Sequence, residues 1–205
     1  MIKKIFSIFI VFAIFLPSIF SNDLITTESS NIAKFTLNFD DLSRNVIKEN
    51  NNKVIDTFSN VLTTYDYFFL FFAPISGYGA SYLLNDDKLK EVSKDSIISS
   101  IISSSITMIT KIFFGRERPY SEKGSFSFKP FAPLTEGSTY TSFPSGHSAV
   151  AWAVYTPYAI EYTACLYSIP IGISFSRIYE DKHWLSDVIV GSLIGYSVGY
   201  YMYYR

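Results

Sequence analysis

Cysteine is nearly missing from this 205-residue sequence, with Cys165 standing alone. An intrachain disulfide and a thiolate metal cluster are thereby excluded, and cysteine carries no information about redox compartment. Histidine is almost as rare, with two in the chain, His147 and His183. Charged residues make up only 17%, and 17 Lys plus Arg balance 18 Asp plus Glu. No global basic field exists to attract nucleic acid, so any anion binding must be local. Also lacking are an internal repeat, an alternating strand pattern and an obvious carboxylate cluster for magnesium.

What the chain has is apolar and aromatic mass. Apolar residues reach 48%, with 16 tyrosines and 19 phenylalanines. That bias suits a helical protein in contact with lipid, the alternative being an aromatic-rich soluble core. The length fits one domain. Lys3 and Lys4, the apolar run 5–20 and the polar Ser21-Asn22-Asp23 follow the order of an export signal. Pro17, Ser18 and Ser21 favour a cleaved signal peptide over residues 1–21, a retained membrane anchor being the alternative. On either reading the body crosses the inner membrane or faces its outer side.

Residues 22–52 read as a linker and a short surface helix, with Leu37, Phe39, Leu42 and Val46 in a weak helical pattern, and 53–205 as one helical domain. The run from Tyr65 to Leu84 reads as one buried or membrane helix broken near Pro74, Gly77 and Gly79. Asp95 to Phe114 has helical spacing, with Lys111 in its last turn. Gly115 to Pro144 is rich in Gly, Pro, Ser and Thr and reads as a long ordered loop. Three apolar segments follow, Ser148 to Ile160, Thr163 to Ile178 and Trp184 to Tyr203. The fold class is therefore all-α, a compact bundle of about six helices. Each segment is a marginal bilayer span and mean hydropathy is +0.20, so a periplasmic soluble domain and a compact integral membrane protein both fit.

Three clusters carry chemistry. Lys111 and Arg118 lie seven positions apart at a helix end, where both cations can converge on one anion. Taken alone they equally suit a helix dipole or a membrane boundary. In Pro144-Ser145-Gly146-His147, a loop becomes a helix: free amides there bind anions, Gly146 admits a phosphoryl group to the backbone, and Ser145 adds a hydroxyl. Ser145 as a simple helix cap is the plainer alternative. His183 and Asp187 are four apart, so on a helix the carboxylate can accept from one imidazole nitrogen and leave the other as nucleophile or base. A surface His–Asp pair is the alternative there.

Together the clusters resemble the signature of the type 2 phosphatidic acid phosphatase superfamily, which includes bacterial acid phosphatases and vanadium haloperoxidases. That signature reads K-x6-R-P, P-S-G-H and S-R-x5-H-x3-D, and Lys111, Arg118, Pro119, Pro144 to His147, Ser176, Arg177, His183 and Asp187 match it. The resemblance covers roughly 95–205. It implies a phosphatase acting on a phosphomonoester, a lipid phosphate or a diphosphate, with no metal and no cofactor. His183 would be the nucleophile that becomes a phosphohistidine, Asp187 its orienting carboxylate, and His147 the acid and then the base. Lys111, Arg118, Arg177, Ser145 and the Gly146 amide would hold the phosphoryl oxygens. Rival readings are a vanadate haloperoxidase, a lipid phosphotransferase and a non-catalytic phosphate-binding envelope protein. Substrate choice is expected in the Gly115 to Phe143 loop, with Tyr120, Phe126, Phe128, Phe131 and Tyr140, and in the helix from Tyr65.

Overall fold

A computed structural model describes residues 39–205 apart from residue 51, and the expected export segment lies outside the described residues. Seven α-helices form among the described residues, with no strand beyond an isolated bridge between Arg116 and Phe128. They are α1 (39–49), α2 (Lys53–Thr64), α3 (Ala73–Leu84), α4 (Asp87–Phe114), α5 (Gly146–Glu161), α6 (Ser168–Tyr179) and α7 (Leu185–Tyr204). The all-α expectation of about six helices therefore holds.

Helix α4 begins eight residues earlier than its apolar pattern suggests, because Asp86 caps it by accepting from the Leu89 amide at 2.9 Å. The charged residues Asp87, Lys88, Lys90, Glu91 and Lys94 thus lie on its first turns. At the other end Gly115 turns the chain at φ +54°, and a Cβ there would fall 1.7 Å from the Lys129 carbonyl oxygen. Only glycine closes this end, which delivers Lys111 and Arg116 to the loop.

Helix α4 is polar inside and apolar outside. Ser93, Ser96, Ser99, Ser100, Ser103, Thr107 and Thr110 are buried, while Ile101, Met108 and Ile109 are 60%, 67% and 56% exposed. Small hydroxyl residues let helices approach closely, and the Ser96 hydroxyl donates to the Val154 carbonyl of α5 at 2.8 Å. α5 and α7 approach as closely: a Cβ on Gly195 would fall 2.0 Å from the Ala149 carbonyl oxygen. Among the described residues α4 alone is long and apolar enough to cross a bilayer, and Lys53–Thr64 with Phe68–Leu84 would make a second span only with a 49° bend.

The break expected near Pro74, Gly77 and Gly79 is not there, because Pro74 sits in the first turn of an unbroken α3; the irregular stretch lies earlier, as a π-helical turn, Phe68–Phe72. It packs on the α5–α6 core of Val150, Ala151, Val154, Tyr155 and Ile173. The 115–144 segment is the ordered loop expected, carrying the 3₁₀ turns Pro119–Ser121, Ala132–Leu134 and Ser138–Tyr140.

Candidate active site

The loop ends where α5 begins, and all three clusters meet there. Ser145 is the N-cap of α5 and is fully buried, its Oγ accepting from the Ser148 hydroxyl at 3.0 Å. Its amide donates to the Asp187 carbonyl at 2.9 Å, fastening this turn to α7. Capping and phosphate binding are thus compatible uses of Ser145, because the first-turn amides of α5 still point out of the helix. Lys111 Nζ donates to the carbonyls of Thr141 and Pro144 at 2.5 and 2.6 Å, and its Cε lies 3.8 Å from where a Gly146 Cβ would stand. Arg118 donates to the Ser138 carbonyl at 3.0 Å and the Thr141 hydroxyl at 3.1 Å. Both cations of the first cluster therefore flank the turn that carries Ser145, Gly146 and His147.

His183 departs from the sequence expectation. It precedes α7 instead of lying within it, so the four-residue spacing to Asp187 does not produce a helical pair. Its Nδ1 lies 2.8 Å from the Ser142 carbonyl oxygen but 3.8 Å from Asp187 Oδ2. A carbonyl only accepts, so Nδ1 carries the proton and Nε2 is left with a lone pair. Asp187 spends its acceptors elsewhere, on Arg116 Nη1 at 2.5 Å, the Ser142 hydroxyl at 2.5 Å and the Trp184 amide at 2.9 Å. It organises the turn around His183 and faces the ring electrostatically.

Burial above all, joined by the charges of Lys111 and Arg118, pushes the His183 imidazole down to about 3 against the pull of Asp187. The ring is neutral across ordinary pH. Burial works to raise the Asp187 carboxyl, yet Arg116, His183 and Ser142 hold it below the usual carboxylate range. His147 is pushed down to about 4, by burial first and then by Arg177, while the Asp66 carboxylate pulls upward and Lys111 and Arg118 add to the depression. That both rings feel Lys111 and Arg118 puts histidines and cations in one electrostatic pocket.

Sequence reasoning missed Asp66, which is 3.2 Å from His147 Nε2 and 3.5 Å from Arg177 Nη1. A lone carboxylate inside the aromatic run 65–72 was the available signal, since an ionisable group in an apolar segment needs a partner. Also missed were the Ser142 carbonyl, which no side-chain motif reveals, and Arg116, set among the variable positions between Lys111 and Arg118. Arg177 is further held by Thr63 and Glu180, so α2 and the helical turn at Asp66 help build the site. Of the aromatic residues expected to meet substrate, Phe128 instead stacks near Arg116 at 5.2 Å, whereas Tyr120, Phe126 and Phe131 are exposed. Among the described residues no group of three or more His, Cys, Asp or Glu is placed to hold a metal ion.

A tetrahedral oxyanion suits this pocket: cations and helix-start amides for its oxygens, and an imidazole lone pair beside it. The family model described as PAP2 superfamily matches residues 95–205, and the chain belongs to that superfamily. The lipid A 1-phosphatase of Porphyromonas gingivalis is 35% identical over 83 residues, covering 37% of this chain and 18% of that protein. The lipid A 1-phosphatase of Rhizobium johnstonii is 32% identical over 100 residues, covering 46% of this chain and 40% of the relative. The matched stretch thus spans less than half the length of these relatives. The crystal structure of Aquifex aeolicus LpxE is similar at a TM-score of 0.58 and 24% identity, over 79% of this chain and 92% of that one. A transmembrane PAP2-type phosphatidylglycerolphosphate phosphatase from Bacillus subtilis is similar at 0.60 and 21%, over 96% and 92%. At these identities the two structures support the fold.

Proposed function

We propose that the chain is a lipid phosphate phosphatase that removes a terminal phosphoryl group, of the lipid A kind, through a phosphohistidine on His183. The observation that carries this reading is the 2.8 Å contact of His183 Nδ1 with the Ser142 carbonyl, which leaves Nε2 unprotonated inside a cationic pocket. Nε2 attacks phosphorus, the phosphorus–oxygen ester bond breaks, and His147 gives a proton to the departing alkoxide. A water then loses a proton to His147 as its oxygen bonds to phosphorus and the phosphorus–nitrogen bond breaks. Inorganic phosphate and neutral His183 result. Lys111, Arg118 and Arg177 neutralise the equatorial oxygens where negative charge accumulates, the part a metal ion plays in other phosphatases. The lipid character of the substrate is supported by the lipid A 1-phosphatase relatives and by the outward apolar face of α4. The export-type start of the sequence supports an active site on the outer side of the inner membrane.

Phosphate release from lipid A, phosphatidic acid and 4-nitrophenyl phosphate, measured with purified protein in excess chelator, tests the reading. Expected are turnover that survives the chelator, inhibition by vanadate, and complete loss in His183→Ala. Wild-type hydrolysis by His183→Ala would remove the nucleophile assignment. Activity lost in chelator and restored by magnesium or zinc would remove the metal-free mechanism. Transfer of the phosphoryl group to an added alcohol in preference to water would identify a phosphotransferase.

A further inference from the structure

We propose that α1 belongs to the phosphoryl-transfer machinery, with Asp40, acting through Arg116, as a positioning residue for Asp187 and the turn that carries His183. This rests on the proposed phosphatase reading. The short surface helix expected here has its apolar residues outside, Leu42 being 59% exposed and Val46 50%, and turns Asp40 inward, where its side chain has no exposed surface. The Asp40 carboxylate accepts from the Ser186 amide at 2.7 Å, the Ser186 hydroxyl at 2.6 Å and Arg116 Nη2 at 2.8 Å. Arg116, only 2% exposed, reaches through its other terminal nitrogen to Asp187 at 2.5 Å and to the Ser186 hydroxyl at 2.7 Å. A second clamp from α1 reaches the same turn. Arg44 binds Asp181 through two 2.6 Å hydrogen bonds and lies 5.7 Å over the Trp184 ring, bracketing His183 in sequence.

The charge count gives Asp40 a chemical role. One guanidinium lies between two buried carboxylates, so the cluster is net anionic. Without Asp40, Arg116 would neutralise Asp187, and the His183 imidazolium formed by attack would face no net negative charge. With Asp40 present, Arg116 fixes Asp187 while the cluster keeps its negative charge 3.8 Å from the ring. Buried carboxylate–guanidinium clusters return little net stability after desolvation, so what this one secures is geometry and charge. Asp40 also lies outside the 95–205 stretch that the superfamily model matches.

The full chain, labelled with ¹⁵N in its histidine rings, gives two imidazole signals to follow alongside kinetics. Asp40→Asn keeps the shape and removes the charge. We expect kcat to fall roughly ten- to hundredfold with KM held within about twofold, because only a transition-state interaction is lost. The His183 ring should lose its single Nδ1–H tautomer while the His147 signal stays. Glu49→Gln, at the exposed far end of α1, should change neither readout. Ser186→Ala, a smaller lesion, should move both readouts in the same direction and decides the matter if Asp40→Asn is not recovered folded. Folded variants with wild-type kcat and an unchanged His183 spectrum, showing only a lower Tm, would overturn the proposal. If the wild-type protein hydrolyses no phosphate ester, the phosphatase reading falls, while the His183 spectrum still decides the Asp40 coupling.

Discussion

Asp66 bridges His147 and Arg177, so it stabilises a protonated His147 while tempering the cation that opposes it. Asp66→Asn should therefore depend on the leaving group. With 4-nitrophenyl phosphate, which needs little protonation, kcat should fall only a few-fold, whereas an alkyl or lipid phosphate should lose roughly a hundredfold, within the usual worth of general acid catalysis. Equal losses on both substrates would show that Asp66 serves binding alone. His147 is held at about 4 against an ordinary 6.5 by burial first and then by the positive charges of Arg177, Lys111 and Arg118. Bound vanadate or phosphate offsets Arg177, Lys111 and Arg118, and the His147 pKa should rise by one unit or more. Histidine NMR titration with and without vanadate checks this, and an unchanged value would remove His147 as the proton donor. The sign for stability follows from the same shifts. Both folded values lie below 6.5, so between 6.5 and about 3 to 4 the unfolded chain binds more protons. Stability should be fully present above 6.5 and fall as pH drops through that window, as chemical denaturation across pH would show.

At the scale of elements, α4 combines two kinds of buried serine whose substitution should part company. Ser96 donates across to Val154 of α5 at 2.8 Å, whereas the hydroxyls of Ser99 and Ser103 have no hydrogen-bond partner among the described residues. Ser96→Ala removes an interhelical hydrogen bond and should cost about 1 kcal/mol, while Ser99→Ala removes an unsatisfied polar atom and should be neutral or stabilising. Thermal unfolding in one detergent measures both, and equal losses would show that bulk packing alone sets the stability of this interface. The same face explains why the helical pattern of α4 was legible while its orientation was not. Periodicity marks one stripe as distinct, but water and lipid demand opposite stripes on the outside.

For the whole molecule, the proposed placement on the outer side of the inner membrane would put the loop 115–143 away from the cytoplasm. A reporter active only outside the cytoplasm, inserted near the exposed Phe126, should give signal there. Signal from a cytoplasmic reporter at the same place would reverse the orientation. Because α1, the turn at Asp66, the loop and the starts of α5 and α7 all converge on the pocket, such insertions should be confined to the exposed loop tip.

The sequence by itself determined the helical class, the loop, and the three clusters with Lys111, Arg118, Ser145, Gly146, His147, Arg177, His183 and Asp187. Those features depend on spacing and residue type, which a linear pattern records. Tertiary structure alone decided how the parts are partnered. It gave His183 a backbone carbonyl in place of the carboxylate four residues on, and assigned Asp187 to Arg116. It brought Asp66 to His147 and Asp40 to Arg116 across 81 and 76 positions. A buried charge must find its partner in space, and nothing in its neighbours along the chain says where that partner will be.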